Sequence, residues 1–245
     1  MPKKLDLNCD MGENPQSWFE GEDKQLLDCI NSINISCGFH AGDPVLIKDT
    51  LRLAAEKKLR IGAHPGFDDR ANFGRKAWPL TPDTLFDLLK KQLTPFVRWA
   101  EEAGATLHHI KAHGALYNML SVNDELAEAY CRFVQSAYPN WIVYCLPKSS
   151  TAKWAERLGL QYWSEAFADR SYQSNGQLTA RNLPNALLTT PETAIEQVRQ
   201  IAEKGTLRTV DGEEIEMNAD TVCVHGDGQY ALAIARGLKS SGLFE

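Results

Sequence analysis

No stretch of about 18 consecutive apolar residues occurs in this chain of 245 residues, so nothing in it has the make-up of a membrane-spanning helix. The opening "MPKKLDLNCD" is basic and then polar, without the apolar middle of a secretory signal. A soluble, cytoplasmic protein is the expectation. Long Lys/Arg runs are also missing and the net charge is −6, which argues against nucleic acid or an acidic membrane as partner. The 6 cysteines include no CxxC pair, so neither a disulfide framework nor a structural zinc site is expected. In "NISCGF", "WIVYCLP" and "TVCVHG" they sit in apolar runs and read as small core residues. A G-x-x-x-x-G-K-[ST] loop, a GxGxxG turn and an HExxH pair are all absent. No Pro/Ser-rich linker, internal repeat or low-complexity tract divides the chain.

What is present is an alternation of short apolar runs with longer segments of helical period. "KLDLNCD", "NISCGFH", "RIGAHP", "LHHIKAHG", "WIVYCLP", "QYWSEAF" and "TVCVHG" read as strands. Between them, "DKQLLDCINSI" carries a helical stripe of Leu26, Leu27, Ile30 and Ile33. Asp43-Pro44 and Thr81-Pro82 open two longer helices, the second of which contains Pro95, where a kink or break is expected. Asp211-Gly212 between β-formers signals a hairpin. This order predicts a parallel sheet with right-handed crossovers, in one β/α-barrel domain over residues 1–245.

The polar residues favour a closed barrel over an open sheet. Six of the strands carry ionisable side chains at or just beyond their ends: Asp6 and Asp10; His40; His64; Lys111 and His113; Glu165, Asp169 and Arg170; His225 and Asp227. A barrel brings all such ends to one face, whereas an open sheet gathers two or three at a switch point. Asp6, Asn8 and Asp10 alternate with Leu5, Leu7 and Cys9, so the three polar side chains share one side of their strand. His40, His64, His113 and His225 each stand beside glycine or proline, where the backbone can come close to a ligand. His108 and His109 lie earlier in their strand and read as packing or lining residues. "FADRSYQSNGQLTAR" is a polar loop flanked by Arg170 and Arg181, residues suited to carboxylate or phosphate.

"DLNCDMGE", "NISCGFHAGDP", "IGAHPGFDDRANFGR", "KAHGALYN", "FADRSYQSNGQL" and "CVHGDGQYALAIAR" together resemble the LamB/YcsF family, in order and along the whole chain. Ala112 and Ala180 depart from the proline common in the family, and "NPQSWFEG" replaces a glycine-rich stretch. The resemblance implies a seven-stranded, TIM-like α/β barrel similar to glycoside hydrolase and deacetylase barrels. It implies the role of a 5-oxoprolinase A subunit: ATP-dependent ring opening of 5-oxo-L-proline to L-glutamate, together with subunits B and C.

Ring opening of a lactam needs an activated water and stabilisation of an oxyanion. Among the candidates, Asp10 or His113 suits the general base and Lys111 or His64 the oxyanion. Lys111 could have a lowered pKa in a poorly solvated pocket. Arg75 or Arg170 suits an anionic group, and Asn8, His40, Tyr117, Asp169 and His225 complete the substrate-binding set. ATP is expected to be used together with the partner subunits. A divalent metal, if required, would fall to Asp6, Asp10, His40 and His64, which makes a metal-dependent amide hydrolase or deacetylase the alternative reading. A non-catalytic lactam-binding subunit is another.

Overall fold

The computed structural model describes residues 4–244. Seven parallel strands close into a barrel in the order β1 (Asp6–Met11), β2 (Ser32–Ser36), β3 (Arg60–His64), β4 (Leu107–Ile110), β5 (Ile142–Cys145), β6 (Tyr162–Phe167) and β9 (Thr221–His225). Closure is made by β9, whose Thr221 is in register with Glu165 of β6 and with Asp6 of β1. The hairpin signalled by Asp211-Gly212 forms apart from the barrel, as β7 (Thr206–Arg208) and β8 (Glu214–Glu216).

Helices surround the barrel: α1 (Pro15–Glu20), α2 (Glu22–Leu26), α3 (Pro44–Glu56), α4 (Pro82–Glu102), α5 (Gly114–Val122), α6 (Asp124–Ala137), α7 (Ser150–Arg157), α8 (Pro191–Lys204) and α9 (Ala231–Ser240). Their starts follow from their caps. Asp43 accepts from the Val45 and Leu46 amides, and Thr81 and Thr84 form a reciprocal box. The apolar core lies between strands and helices, where Leu7, Ile33, Ile35, Ile61, Ile110, Val143 and Val222 meet Leu46, Leu51, Leu89, Leu93 and Phe96. Fully burying each such side chain is worth roughly 1.5–3 kcal/mol. Among the described residues no helix is long and apolar enough to cross a membrane.

Two local expectations change. The stripe through Leu26 and Ile33 is not one helix: α2 ends at Leu26, and Ile33 belongs to β2, opposite Cys9. Both Ile33 and Ile35 point into the strand–helix layer, a period of two that the preceding Leu26, Leu27 and Ile30 had disguised as a helical one. Pro95 does not break α4, which runs from Pro82 through Glu102. Leu93 and Phe96, both fully buried, hold the chain in place on either side of the missing donor.

At the C-terminal end of the barrel the loops touch backbone to backbone. A Cβ on Gly42 would stand 2.1 Å from the Gly12 carbonyl oxygen, and one on Gly114 would stand 2.7 Å from that of Gly74. Gly42 also has φ +71°, as does Gly159 at +69°, but Gly159 has open space around it. Gly42→Ala should therefore combine left-handed strain with a backbone clash and cost about 2–4 kcal/mol, against about 1–2 kcal/mol for Gly159→Ala. Urea unfolding of the two variants separates the contributions, and equal losses would show that the two loops do not meet.

Candidate active site

The barrel interior is filled by polar side chains rather than the branched apolar layers usual in such barrels. Asp6, Asn8 and Asp10 face inward as their period requires, joined by Ser32, Asn34, His109, Lys111, Glu165 and Thr221, all buried. Each finds partners. Asp6 accepts from Ser32 (2.6 Å), Thr221 (2.5 Å) and Arg60 (2.9 Å) at the deep end. Asn8 donates to Glu165 and Thr221 and accepts from Asn34. His109, stacked on Tyr144 with ring centroids 4.0 Å apart, donates Nε2–H to Asn34.

Above this layer lies Lys111, only 2% exposed. Its Nζ is 2.8 Å from Asp10 Oδ1, 3.0 Å from Glu165 Oε1 and 3.1 Å from Cys223 Sγ. Burial works against its charge, but Asp10 and Glu165 outweigh it and raise the pKa well above that of a free lysine. The Lys111 pKa thus moves up rather than down: two carboxylates and the Cys223 sulfur surround its ammonium. Asp10 is likewise buried, yet His64 and Lys111 hold its carboxyl well below the usual range.

Beside Asp10 three imidazoles converge. His64 Nδ1 faces the Lys111 carbonyl at 2.7 Å, while His64 Nε2 lies 2.9 Å from His113 Nδ1 and 3.4 Å from Asp10 Oδ2. His113 Nε2 faces the Phe73 carbonyl at 2.8 Å, and His40 stacks on His113 at 3.8 Å. His40 Nε2 meets Glu13 Oε1 at 3.0 Å. Burial, with the neighbouring histidines, holds His40 and His113 well below the ordinary imidazole pKa, so both are neutral near pH 7. Burial, then the Asp10 charge, pushes Glu13 up to about 8.

A cavity of about 380 Å³ opens above, lined among others by Asp10, His64, Lys111, His113, Tyr117 and His225. Arg75, Arg170 and Arg181 also line it, giving it the cationic character that an anionic ligand requires. His225 turns Nδ1 to the Asp169 carboxylate at 2.9 and 3.0 Å. That contact fixes a proton on Nδ1, so that in the neutral ring Nε2 is the acceptor. Despite burial, His225 keeps the Asp169 carboxyl below its usual range. Phe167 lies between His225 and Tyr117, stacked on the first at 5.3 Å and edge-on to the second at 5.7 Å. The Tyr117 hydroxyl is buried without a hydrogen-bond partner, and burial, then the Glu165 charge, keeps it protonated.

Of the candidates read from the sequence, Asp10, His64, Arg75, Lys111, His113, Tyr117, Arg170 and His225 meet at this cavity. Asn8 and Asp6 do not. Both lie deeper in the barrel, saturated by hydrogen bonds, and Asp6 is not grouped with His40 and His64. His40 stands behind His113, and Asp169 stands behind His225. The Arg170 guanidinium donates to the Thr179 and Ala186 carbonyls, pinning the loop that follows β6. Burial, with Arg181 close by, pulls its pKa down to about 10. Arg181 instead makes no hydrogen bond or ion pair among the described residues, and is the arginine free to hold an anion. Glu13 was not singled out from the sequence. Gly12 (φ +72°) returns it to the strand ends, and only the glycine in "DMGE" hints at that turn. His109 and His113 are four apart, but on a strand end, and only His113 joins the cluster.

Residues 5–242 match the LamB/YcsF family. The chain is 40% identical to the A subunit of 5-oxoprolinase from Bacillus subtilis (strain 168) over 244 residues, covering 98% of this chain and 95% of that one. It is 43% identical to the A subunit of 5-oxoprolinase from Bordetella pertussis over 239 residues, covering 98% and 95%. The crystal structure of the lactam utilization protein from Thermus thermophilus superposes with a TM-score of 0.88 at 33% identity, covering 98% and 96%. With its seven-stranded barrel and these relatives spanning nearly its whole length, the chain belongs to the LamB/YcsF family.

Proposed function

We propose that this chain is the A subunit of a 5-oxoprolinase, opening the ring of 5-oxo-L-proline to give L-glutamate. The observation that carries the reading is the cationic cavity in which His225, backed by Asp169, stands near the unpaired Arg181. The substrate offers a carboxylate and a lactam carbonyl. Arg181, with Arg75 beside it, takes the carboxylate or another anionic group. Arg75 is already held at 2.6 Å by Asp227, so its charge is partly compensated and Arg181 is the stronger claimant.

His225 Nε2 then accepts a proton from water as that water adds to the lactam carbon. The same proton passes to the ring nitrogen as the C–N bond breaks. Tyr117, a buried protonated hydroxyl beside Glu165, donates to the former lactam oxygen as the tetrahedral intermediate forms. Asp10 and His113 are poorer bases: the Asp10 carboxyl is held well below its usual range, and His113 has both nitrogens engaged. Lys111 fixes the charge balance of Asp10 and Glu165 instead of meeting the oxyanion, because both carboxylates lie on its ammonium.

ATP enters through partner subunits B and C, which phosphorylate the lactam oxygen, release ADP and hand the activated ring to this barrel. Water addition and C–N cleavage then leave an acyl phosphate, which a second water hydrolyses to glutamate and phosphate. The missing phosphate-binding loop supports that division of labour. The test is glutamate release from 5-oxoproline and ATP, with and without separately purified partners. Release only from the mixture is expected, and ATP turnover by this chain alone would overturn the division.

In the reconstituted mixture, His225→Gln should lower kcat by about 10²–10⁴-fold, the usual contribution of a positioned base. Asp169→Asn, which frees the imidazole to change tautomer, should follow in the same direction. A folded His225→Gln protein with full activity would remove the dyad from the mechanism.

Lys111→Met leaves Asp10 and Glu165 buried without their cation. It should destabilise the fold by about 3–5 kcal/mol in urea unfolding, and adding Glu165→Gln should recover part of the loss. Unchanged stability of the single variant would show that the ammonium is not what compensates these carboxylates.

A further inference from the structure

We propose that Glu13, His40, His64 and His113 form a binding site for one divalent transition-metal ion, with Zn²⁺ the best match to the donor set. The inference is independent of the ring-opening reading and rests on how the imidazole nitrogens are used. A carbonyl oxygen only accepts, so His64 Nδ1, at 2.7 Å from the Lys111 oxygen, carries a proton, as does His113 Nε2, at 2.8 Å from the Phe73 oxygen. With His64 neutral, the remaining nitrogens, His64 Nε2 and His113 Nδ1, present lone pairs to each other at 2.9 Å. Two lone pairs at that distance repel unless an electrophile lies between them. A shared proton would answer for that pair alone. The surroundings answer for more: Glu13 Oε1 stands 3.0 Å from His40 Nε2 and 3.7 Å from His113 Nδ1.

One donor atom from each of the four side chains falls within 4.8 Å of all the others. Donors around a tetrahedral zinc with bonds of about 2.0–2.1 Å stand roughly 3.3 Å apart, so small shifts of these side chains suffice. Three imidazoles and a carboxylate are a borderline-soft set that selects zinc and its neighbours over magnesium or calcium. Fixing the outer N–H of a histidine on a backbone carbonyl is the arrangement that orients metal-bound imidazoles, and His64 and His113 both have it. The rings are also clamped. A Cβ on Gly74 would stand 2.9 Å from both His40 and His113, and one on Gly66 would stand 3.0 Å from both. Asp10 Oδ2, 3.4 Å from His64 Nε2, adds negative charge at the edge of the site. Since His64, His113 and Asp10 line the cavity that Arg181 and His225 share, the ion would stand at its wall.

The test uses the full chain purified without a polyhistidine tag, stripped with chelator and checked for folding by circular dichroism. Calorimetric titration with Zn²⁺ should give one equivalent bound. Co²⁺ in its place should give the visible absorption of a low-coordinate, nitrogen-ligated ion. The double variant His40→Gln/His113→Gln should weaken Zn²⁺ binding by at least about 10²-fold, as loss of ligands demands, whereas His108→Gln, outside the cluster, should leave it unchanged. Absence of binding to the folded wild type, or equal binding by the double variant, overturns the proposal. If the double variant does not fold, X-ray absorption of the Zn²⁺-loaded wild type decides: imidazole scattering supports the site, and an oxygen-only shell overturns it.

Discussion

A single buried ammonium sets the terms for the rest of this barrel. Lys111, at the end of β4, lies between Asp10 of β1 and Glu165 of β6, with Cys223 of β9 against it. Two carboxylates at the centre of a barrel would be prohibitive without that cation, and the cation would be equally prohibitive without them. The pairing ties together strands far apart in sequence. It also leaves the remaining interior positions to hydrogen-bonding residues, since the polar layer beneath, from Asn8 through Asn34 to His109, fits onto the same two carboxylates. The interior is therefore a connected polar network, and a network of this kind specifies one arrangement only when each member is satisfied.

The same pairing shapes the cavity above. Because Lys111 is neutralised within the barrel, the positive character of the mouth comes from Arg75, Arg170 and Arg181, and these differ in availability. Arg170 is held by two backbone carbonyls, Arg75 by a carboxylate, and Arg181 by neither. The histidines divide similarly. His225 has one nitrogen occupied by Asp169, while His64 and His113 use theirs on the backbone and on each other. Side chains of one type thus take separate tasks according to what already holds them.

Much of this was legible in the sequence. The period of two in Asp6, Asn8 and Asp10 showed a polar barrel interior, and the glycine- and proline-flanked histidines marked the strand ends. Periodicity gives the side of a strand, however, and not the depth along it. Asp6 and Asn8 looked equivalent to Asp10 and turned out to lie below the cavity, where Ser32, Thr221, Asn34 and Glu165 satisfy them. Arg170 and Arg181 could not be ranked, because which of them is consumed by loop carbonyls depends on how residues 171–187 fold back. Glu13 was hidden for a related reason: its position is set by a left-handed turn, which a lone glycine permits but does not announce.

The glycine contacts between loops at the barrel mouth carry a consequence for how such a protein can diversify. Where Gly42 meets Gly12 and Gly114 meets Gly74, backbone lies on backbone and no side chain can be inserted. Those stretches of the rim are closed to change by substitution, whatever advantage a different residue would bring. Another part of the lining is built from side chains, Leu178, Thr179, Ala180, Arg181 and Asn182, of which Thr179 is buried and hydrogen-bonded to Ser171. A descendant that accepts a larger or differently charged ring can record that change in residues 180–182, where side chains rather than backbone line the mouth.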